Sequence, residues 1–137
     1  MFLKTIIFSI SRKFLKIILL FTPSSLKLKI HYFIYYFHEN KENELFKIKK
    51  FIAKKGNAID IGCNKGLWSY ALSEQKKINK IYSFEPNKMI LNDLYNYNCK
   101  NIKIFNFALS NKVKIQNLII PYFKYFELDG FATLEKK

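Results

Sequence analysis

The sequence predicts an α/β fold, in which a parallel sheet of the Rossmann-like type follows an amino-terminal helical extension. Two observations carry this prediction. From Ala58 onward, short apolar segments alternate with helical patterns, as they do in parallel sheets with crossover helices. A turn with two glycines follows the first predicted strand, and Glu85 ends the second. We therefore expect a basic, aromatic-rich helical extension over residues 1–57 and a partial nucleotide-binding domain over residues 58–137.

Residues 1–21 predict an amphipathic helix. Apolar residues recur with the helical period, while Arg12, Lys13 and Lys16 lie on the opposite face. These charges interrupt the apolar run before it reaches the length of a membrane span, and no small-residue cleavage pattern of a signal peptide follows. Two interpretations remain: the helix lies on an anionic membrane surface, or it packs on the core or on a partner chain.

Two further helices complete the extension. Residues 22–25 break the first helix and offer an N-cap, so that a second helix is predicted over residues 26–38. A third is predicted over residues 44–55, with Gly56 as its C-terminal cap. The apolar face of this third helix, predicted to cover the first strand, comprises Leu45, Ile48, Phe51 and Ile52.

The predicted sheet domain has three strands and two helices. The strands cover residues 58–61, 80–84 and 102–106, and the helices cover residues 67–75 and 86–97. The first strand reads as short and buried. Pro86 suits the first position of the second helix, whose inner face is predicted to carry Met89, Ile90, Leu94 and Tyr97. Residues 113–120 also have a strand-like pattern.

The turn after the first strand has the composition of a ligand-binding loop. A strand that enters a helix through a tight turn leaves the first N–H groups of the helix unpaired. Gly62 and Gly66 let a ligand approach the backbone closely, because neither has a Cβ. Glu85 ends the neighbouring strand at the same edge of the sheet, where a carboxylate accepts hydrogen bonds from ribose hydroxyls. Together these residues indicate a nucleoside ligand.

The spacing of the glycines discriminates among nucleotide sites. A dinucleotide site needs G-x-G-x-x-G, but Asn64 occupies the middle glycine position. A phosphate-binding P-loop needs a lysine after its last glycine, whereas Lys65 precedes Gly66. The remaining pattern, D-x-G-x-x-x-G from Asp60 with an acidic strand end, is typical of S-adenosylmethionine binders.

Three segments in order resemble the amino-terminal half of an FkbM-type methyltransferase. They are Asp60-Ile-Gly-Cys-Asn-Lys-Gly66, Phe84-Glu-Pro-Asn87 and Asn106-Phe-Ala-Leu-Ser110, within a resemblance that covers roughly residues 50–137. The family usually has alanine where this chain has Cys63, a small residue in either case. The resemblance implies S-adenosyl-L-methionine as cofactor and a sheet of the class I methyltransferase type.

Three of the predicted site residues, Asp60, Asn64 and Asn106, each have two alternative roles. The resemblance implies that Asp60 lies at the cofactor, where it anchors the loop or contacts the methionine ammonium group. Asn64 donates to the methionine carboxylate or braces the loop. Asn106 and the backbone near Ala108 are expected beside the adenine, although Asn106 could equally be a capping or turn residue.

The family's next core strand, ending in a D-x-E-G-type motif, is not found in this sequence. In the usual strand order 3-2-1-4 that strand pairs with the one carrying Asp60. The sequence is therefore expected to be a truncated methyltransferase, incomplete at its carboxyl end, in which a central strand becomes an exposed edge. A truncated methyltransferase would need a complementing chain as its partner. The sequence identifies neither catalytic residues nor an acceptor site.

The charge does not by itself indicate a nucleic-acid partner. The formal net charge is +14, and the basic residues are almost all lysine in a chain also rich in isoleucine and asparagine. Because these three amino acids share AT-rich codons, we attribute most of the charge to genome composition, and no nucleic-acid-binding motif is found. No nucleic-acid partner is predicted.

Cysteines and histidines suggest no metal site. Cys63 and Cys99 form no C-x-x-C motif, and His31 and His38 have no third ligand at metal spacing. Free cysteines are simplest to explain in a reducing compartment, so we expect a cytoplasmic protein, with the membrane surface as the alternative that residues 1–21 leave open.

Three functions are compatible with the sequence. The leading one is an FkbM-like methyltransferase that O-methylates a sugar, a glycan or another small-molecule hydroxyl, with activity in doubt if the chain is truncated. The second is a non-catalytic fragment that binds a membrane surface or a partner chain. The third is another nucleotide-binding Rossmann-like enzyme, against which the missing third glycine argues.

Overall fold

Three parallel strands form the sheet that organises this structure, a computed structural model that describes residues 19–38, 44–123, 126–127 and 132–134. The strands are β1 (Gly56–Ile61), β2 (Ile78–Phe84) and β3 (Ile102–Phe105), in the order β1-β2-β3. Both pairs are parallel. The prediction of an α/β fold with a parallel sheet is confirmed, and this arrangement is compatible with a Rossmann-like fold.

Short helices connect the strands. Helix α3 (Leu67–Ser73) follows β1, and helix α4 (Asn92–Tyr97) follows β2 after a 3₁₀ turn over Lys88–Ile90. The amino-terminal helices are α1 (Ser24–His38) and α2 (Glu44–Phe51). Helix α1 packs on α3 and α4, and α2 packs on α3. The predicted division between residues 57 and 58 falls within β1.

One hydrophobic cluster joins α1 to the sheet and its crossover helices. Its members come from α1, the loop after β1, α3, and α4 with the residue before it, and each is nearly inaccessible to solvent. They are Leu28, Cys63, Tyr70, Leu91 and Leu94. Tyr32 and Tyr97 each meet the ring of Tyr70 edge-on, with both pairs of centroids 5.1 Å apart. Burial of this apolar surface holds α1 on the domain.

The carboxyl end of α2 differs from the prediction. The helix ends at Phe51, which is 75% exposed, so Phe51 does not join the predicted inner face. Gly56 is not a helix cap but the first residue of β1, and its N–H donates to the carbonyl oxygen of Lys77 over 3.1 Å. The Lys77 ammonium group donates to the carbonyl oxygens of Ile52 and Ala53. Residues 52–55, predicted to extend the helix, instead form the connection between α2 and β1.

The single helix predicted over residues 86–97 is also wrong. Pro86 precedes the helical residues, and the side chain of Asn87 accepts a hydrogen bond from the N–H of Met89 to begin the 3₁₀ turn. Met89 is 77% exposed instead of facing inward, whereas Leu94 is buried as predicted. Helix α3 likewise ends at Ser73, two residues before the predicted end.

The segment after β3 forms small antiparallel pairs. β4 (Leu118–Ile119) pairs with β7 (Thr133–Leu134), and β5 (Tyr122–Phe123) pairs with β6 (Phe126–Glu127). The strand predicted over residues 113–120 is thus reduced to two residues, because Val113 and Ile115 are fully exposed.

Two further findings concern the predicted membrane segment and strand β1. Residues 1–18 of the predicted amphipathic helix lie outside the described residues, and none of the described helices is both long and apolar enough to cross a bilayer. In β1, Ile59 and Ile61 are 64% and 68% exposed, so the prediction of a buried strand is wrong for the face that carries them.

Candidate functional site

The loop after β1 begins with two hydrogen bonds to the end of β2. The N–H groups of Gly62 and Cys63 both donate to the carbonyl oxygen of Phe84, over 2.9 and 3.0 Å. Gly62 has φ +72°, a left-handed conformation that favours glycine, and open space surrounds the position that a Cβ would take. The backbone at Gly62 is therefore open on the side where a Cβ would lie.

Gly66 shapes the end of the loop and also lies against a neighbouring helix. It has φ +88° and precedes the first residue of α3, and its N–H donates to the carbonyl oxygen of Cys63. A Cβ on Gly66 would lie 2.6 Å from Cδ1 of Leu94. The missing side chain therefore makes room for helix α4.

Glu85 ties the loops after β1 and β2 together. Its Oε2 accepts a hydrogen bond from the N–H of Asn64 over 3.0 Å, and its Oε1 accepts one from the N–H of Asn87 over 2.9 Å. The Glu85 side chain is 7% exposed. Each carboxylate oxygen has a second lone pair, so these two bonds do not use the full hydrogen-bonding capacity of Glu85.

Asn64 braces the loop, which is one of the two roles predicted for it. Its φ of +50° is left-handed, a conformation that asparagine tolerates better than most residues. Its Oδ1 accepts a hydrogen bond from the N–H of Lys65 over 2.7 Å. The backbone of Asn64 thus reaches Glu85, while its side chain holds the next residue.

Asp60 belongs to a buried hydrogen-bonded chain. The hydroxyl of Ser69 donates to Oδ2 of Asp60 over 2.6 Å and lies 2.7 Å from the hydroxyl of Ser83. Burial raises the pKa of the Asp60 carboxyl, the hydroxyl and N–H of Ser69 lower it in part, and the charge of Glu85 raises it further. The chain connects β1, α3 and β2 and fixes the carboxylate of Asp60 below the glycine loop.

Ser69 and Ser83 were missed from the sequence, although a signal existed. Ser83 alternates with Ile81 on the helix-covered face of β2, and both are fully buried. A hydroxyl at such a position requires a polar partner. The partner could not be identified without the fold, because Ser69 is 14 positions away in the chain.

Asn106 closes the far side of the site. Its Nδ2 donates to the carbonyl oxygens of Glu85 and Pro86, over 2.8 and 2.9 Å. The structure thus places Asn106 as a turn-bracing residue that joins the end of β3 to the loop after β2. Asn106 and Ala108 also line a cavity of about 640 Å³, together with Pro86, Phe107, Leu109 and residues of the segment 110–118.

The predicted residues form one assembly along the carboxyl edge of the sheet. The loop after β1 contains Gly62 and Asn64. The side chains of Asp60 and Glu85 lie beside this loop, and Asn106 is joined to it through the backbone of Glu85. Within the part of the chain that the structure describes, no cluster of histidine, cysteine and acidic side chains could hold a metal ion.

Comparison with known proteins gives no further guide to this site. Protein-family models, curated proteins and solved structures were compared with the chain, and none of the three comparisons found a match. We therefore base the function on the contacts of the loop residues themselves.

Proposed function

We propose that this chain is the cofactor-binding part of an FkbM-like S-adenosylmethionine-dependent methyltransferase, whose acceptor is a hydroxyl of a sugar, a glycan or another small molecule. The observation that carries the proposal is the hydrogen bond from the Asn64 N–H to the Glu85 carboxylate. It joins the glycine loop to the acidic strand end, the two elements from which the sequence predicts a nucleoside site.

Three features of the described residues fit S-adenosylmethionine. The open space at Gly62 lets the ligand lie against the backbone. The free lone pairs of Glu85 suit ribose hydroxyls. The cavity beside Asn106 and Ala108, with the apolar side chains of Phe107 and Leu109 in its wall, suits a flat heterocycle.

The charges at the loop favour a cationic ligand. The charge of Glu85 is one of the causes that raise the pKa of Asp60, which means that the two carboxylates share a region of negative potential. S-adenosylmethionine carries an electrophilic methyl group on a positively charged sulfur and a positively charged ammonium group. Asp60 and Glu85 would attract these charges, while Gly62 and Asn64 would orient the ligand for in-line attack by an acceptor hydroxyl.

Calorimetric titration with S-adenosylhomocysteine tests this proposal. Glu85→Gln and Asp60→Asn keep the size of each side chain and remove its charge, and Glu44→Gln, at an exposed position of α2, is the matched control. We expect both site variants to bind at least about tenfold more weakly and the control to bind like the parent chain. A folded parent chain that does not bind, or site variants that bind normally, would contradict the proposal.

The third hypothesis is tested by the same titration with NAD⁺. A dinucleotide-binding enzyme would bind NAD⁺ more tightly than S-adenosylhomocysteine, and the proposed methyltransferase would show the opposite order. The second hypothesis, a partner-binding fragment, is favoured by a separate observation on β1.

A further inference from the structure

Strand β1 is an edge of the sheet. Its one neighbour among the described strands is β2. The side chains of Ile59 and Ile61 stand on the face away from α3 and are about two-thirds exposed, whereas Asp60 points toward Ser69 of α3. An edge strand of six residues with exposed β-branched side chains is a template for pairing with another chain.

The opposite edge, β3, is protected in a way that β1 is not. Strand β3 has four residues, and its exposed Lys103 carries an ammonium group 5.1 Å from the centroid of the Phe105 ring. A short strand with a lysine discourages edge pairing. Because β1 is longer and has isoleucines in place of lysine, it is the edge that is suited to a partner.

The exposed isoleucines continue into an aromatic face. In the sheet register Ile59 lies beside Tyr82 and Ile61 beside Phe84. The Phe84 ring stacks on Phe105 with centroids 4.8 Å apart. Side chains at alternate positions share a face, so the unpaired edge and the apolar face form one continuous surface.

Lysines surround this surface. Lys54 and Lys55 are exposed immediately before β1. Lys80, which is exposed, precedes Tyr82 by two positions and so belongs to the aromatic face, and Lys103 lies beside Tyr82 in the register of β3. Among the described residues, these three strands contribute no acidic side chain to that face. The surface is therefore apolar with a positive rim.

These features indicate which kind of molecule binds to the β1 edge. The hydrocarbon of a membrane offers no hydrogen-bond partners to an open strand edge, whereas another strand pairs with its N–H and C=O groups in register, so a polypeptide suits this edge better than a membrane. A second copy of this chain is disfavoured, because pairing β1 with itself would bring like-charged lysines together in a chain of net charge +14. An acidic polypeptide complements both the edge and the rim.

We propose that β1 pairs with a strand from an acidic partner polypeptide, whose apolar side chains cover Ile59, Ile61 and Phe84. The partner would extend the sheet by main-chain hydrogen bonds, the mode in which extended peptides add to open edges. This inference rests on the edge of the sheet and on the lysines around it, and it does not depend on methyl transfer.

Synthetic strands test the inference directly, because main-chain pairing tolerates many sequences. A fluorescein-labelled peptide of about ten residues, in which valine alternates with threonine and glutamates flank the strand at both ends, is titrated with the full chain, and the same peptide with lysine in place of glutamate is the charge control. We expect the acidic peptide to bind at least about tenfold more tightly than the basic one, and this binding to weaken as salt is added.

Two paired variants locate the binding surface. Ile59→Asp with Ile61→Asp places two negative charges on the edge, and Leu20→Asp with Phe21→Asp makes the same change of net charge at largely exposed apolar positions that precede α1. We expect the first pair to weaken binding of the acidic peptide at least about tenfold and the second to leave it nearly unchanged. Circular dichroism of each variant checks that it is folded.

Several outcomes would overturn the inference. They are a folded chain that does not bind the acidic peptide, equal binding of the two peptides, and equal loss in both pairs of variants. A dimer in sedimentation velocity that Ile59→Asp with Ile61→Asp abolishes would identify a second copy as the occupant instead. Binding to phosphatidylglycerol vesicles that the same variant abolishes would identify a membrane.

Discussion

The N–H of Asn64 donates to Oε2 of Glu85 over 3.0 Å, although the two residues are 21 positions apart in the chain. This bond makes the carboxylate of Glu85 a structural part of the glycine loop. Its other oxygen holds the N–H of Asn87 in the same way. A residue predicted from its position to bind ribose is thus also the link between the loops after β1 and β2, so its replacement should affect stability as well as binding.

Glu85→Gln should destabilise the fold. Glutamine offers one acceptor oxygen, so one of the two backbone N–H groups would face an NH₂ donor. We expect the free energy of unfolding to fall by about 1–3 kcal/mol in urea titrations, the penalty for a buried donor without a partner. The exposed Glu44→Gln should change it by less than about 0.5 kcal/mol. Equal effects of the two substitutions would refute the anchoring role of Glu85.

The two glycines of the loop should respond differently to alanine. Gly62→Ala introduces a left-handed alanine into open space and should reduce the free energy of unfolding by about 1–2 kcal/mol. Gly66→Ala adds to this a collision with Leu94 and should reduce it by a further amount of roughly 1–3 kcal/mol.

A double-mutant cycle isolates the collision. In a Leu94→Ala background the additional effect of Gly66→Ala should shrink toward that of Gly62→Ala, because the side-chain atoms nearest the new Cβ have been removed. If Gly66→Ala is equally damaging in both backgrounds, backbone conformation and not helix packing explains this glycine.

Asp60 should make stability depend on pH. Burial raises the pKa of Asp60 from its ordinary value of 3.8 in the folded chain. The folded state therefore binds this proton more tightly than the unfolded state does. The contribution of Asp60 to stability is complete below pH 3.8 and is lost as the pH rises through the raised pKa.

The comparison with Asp60→Asn measures that contribution. Subtracting the two profiles of unfolding free energy against pH cancels the other carboxyl groups, and the parent chain should lose stability relative to the variant as the pH rises from 3.8. Parallel profiles, or a difference of opposite sign, would show that the pKa of Asp60 is not raised. Added S-adenosylhomocysteine should alter the difference if its ammonium group reaches Asp60.

The two cysteines should differ in reactivity. Burial, together with the charges of Asp60 and Glu85, raises the pKa of the Cys63 thiol to about 12, and the side chain is buried. At pH 8 its thiolate fraction is then on the order of 10⁻⁴. Cys99 is only partly buried, and its thiol contacts Oδ1 of Asn101 over 2.8 Å.

Ellman's reagent distinguishes the two thiols. We expect one rapidly reacting thiol in the native chain and two after denaturation. Cys99→Ala should remove the rapid phase, and Cys63→Ala should leave it intact. A rapid phase that survives Cys99→Ala would place Cys63 in an accessible environment.

The local pattern of apolar and polar residues was sufficient to predict much of the fold. The alternation of apolar segments and helical patterns after Ala58 predicted three parallel strands, and all three are present within a few residues of their predicted bounds. The boundaries that failed did so where a distant group competes with the local preference. Gly56 pairs with Ile78 of β2 instead of capping a helix. The N–H of Asn87 donates to the carboxylate of Glu85 at a position where a continuous helix was expected.

The sequence by itself determined that a carboxylate, a glycine loop and an acidic strand end meet at one edge of a sheet, since parallel strands bring their carboxyl ends together. Only the tertiary structure decided what each group does there. It directs Gly66 to Leu94, Ser69 to Asp60, and Asn106 to the backbone of Glu85. These partners lie 9 to 28 positions apart in the chain, and packing selects them because each buried polar or closely packed group needs a neighbour that local pattern does not specify.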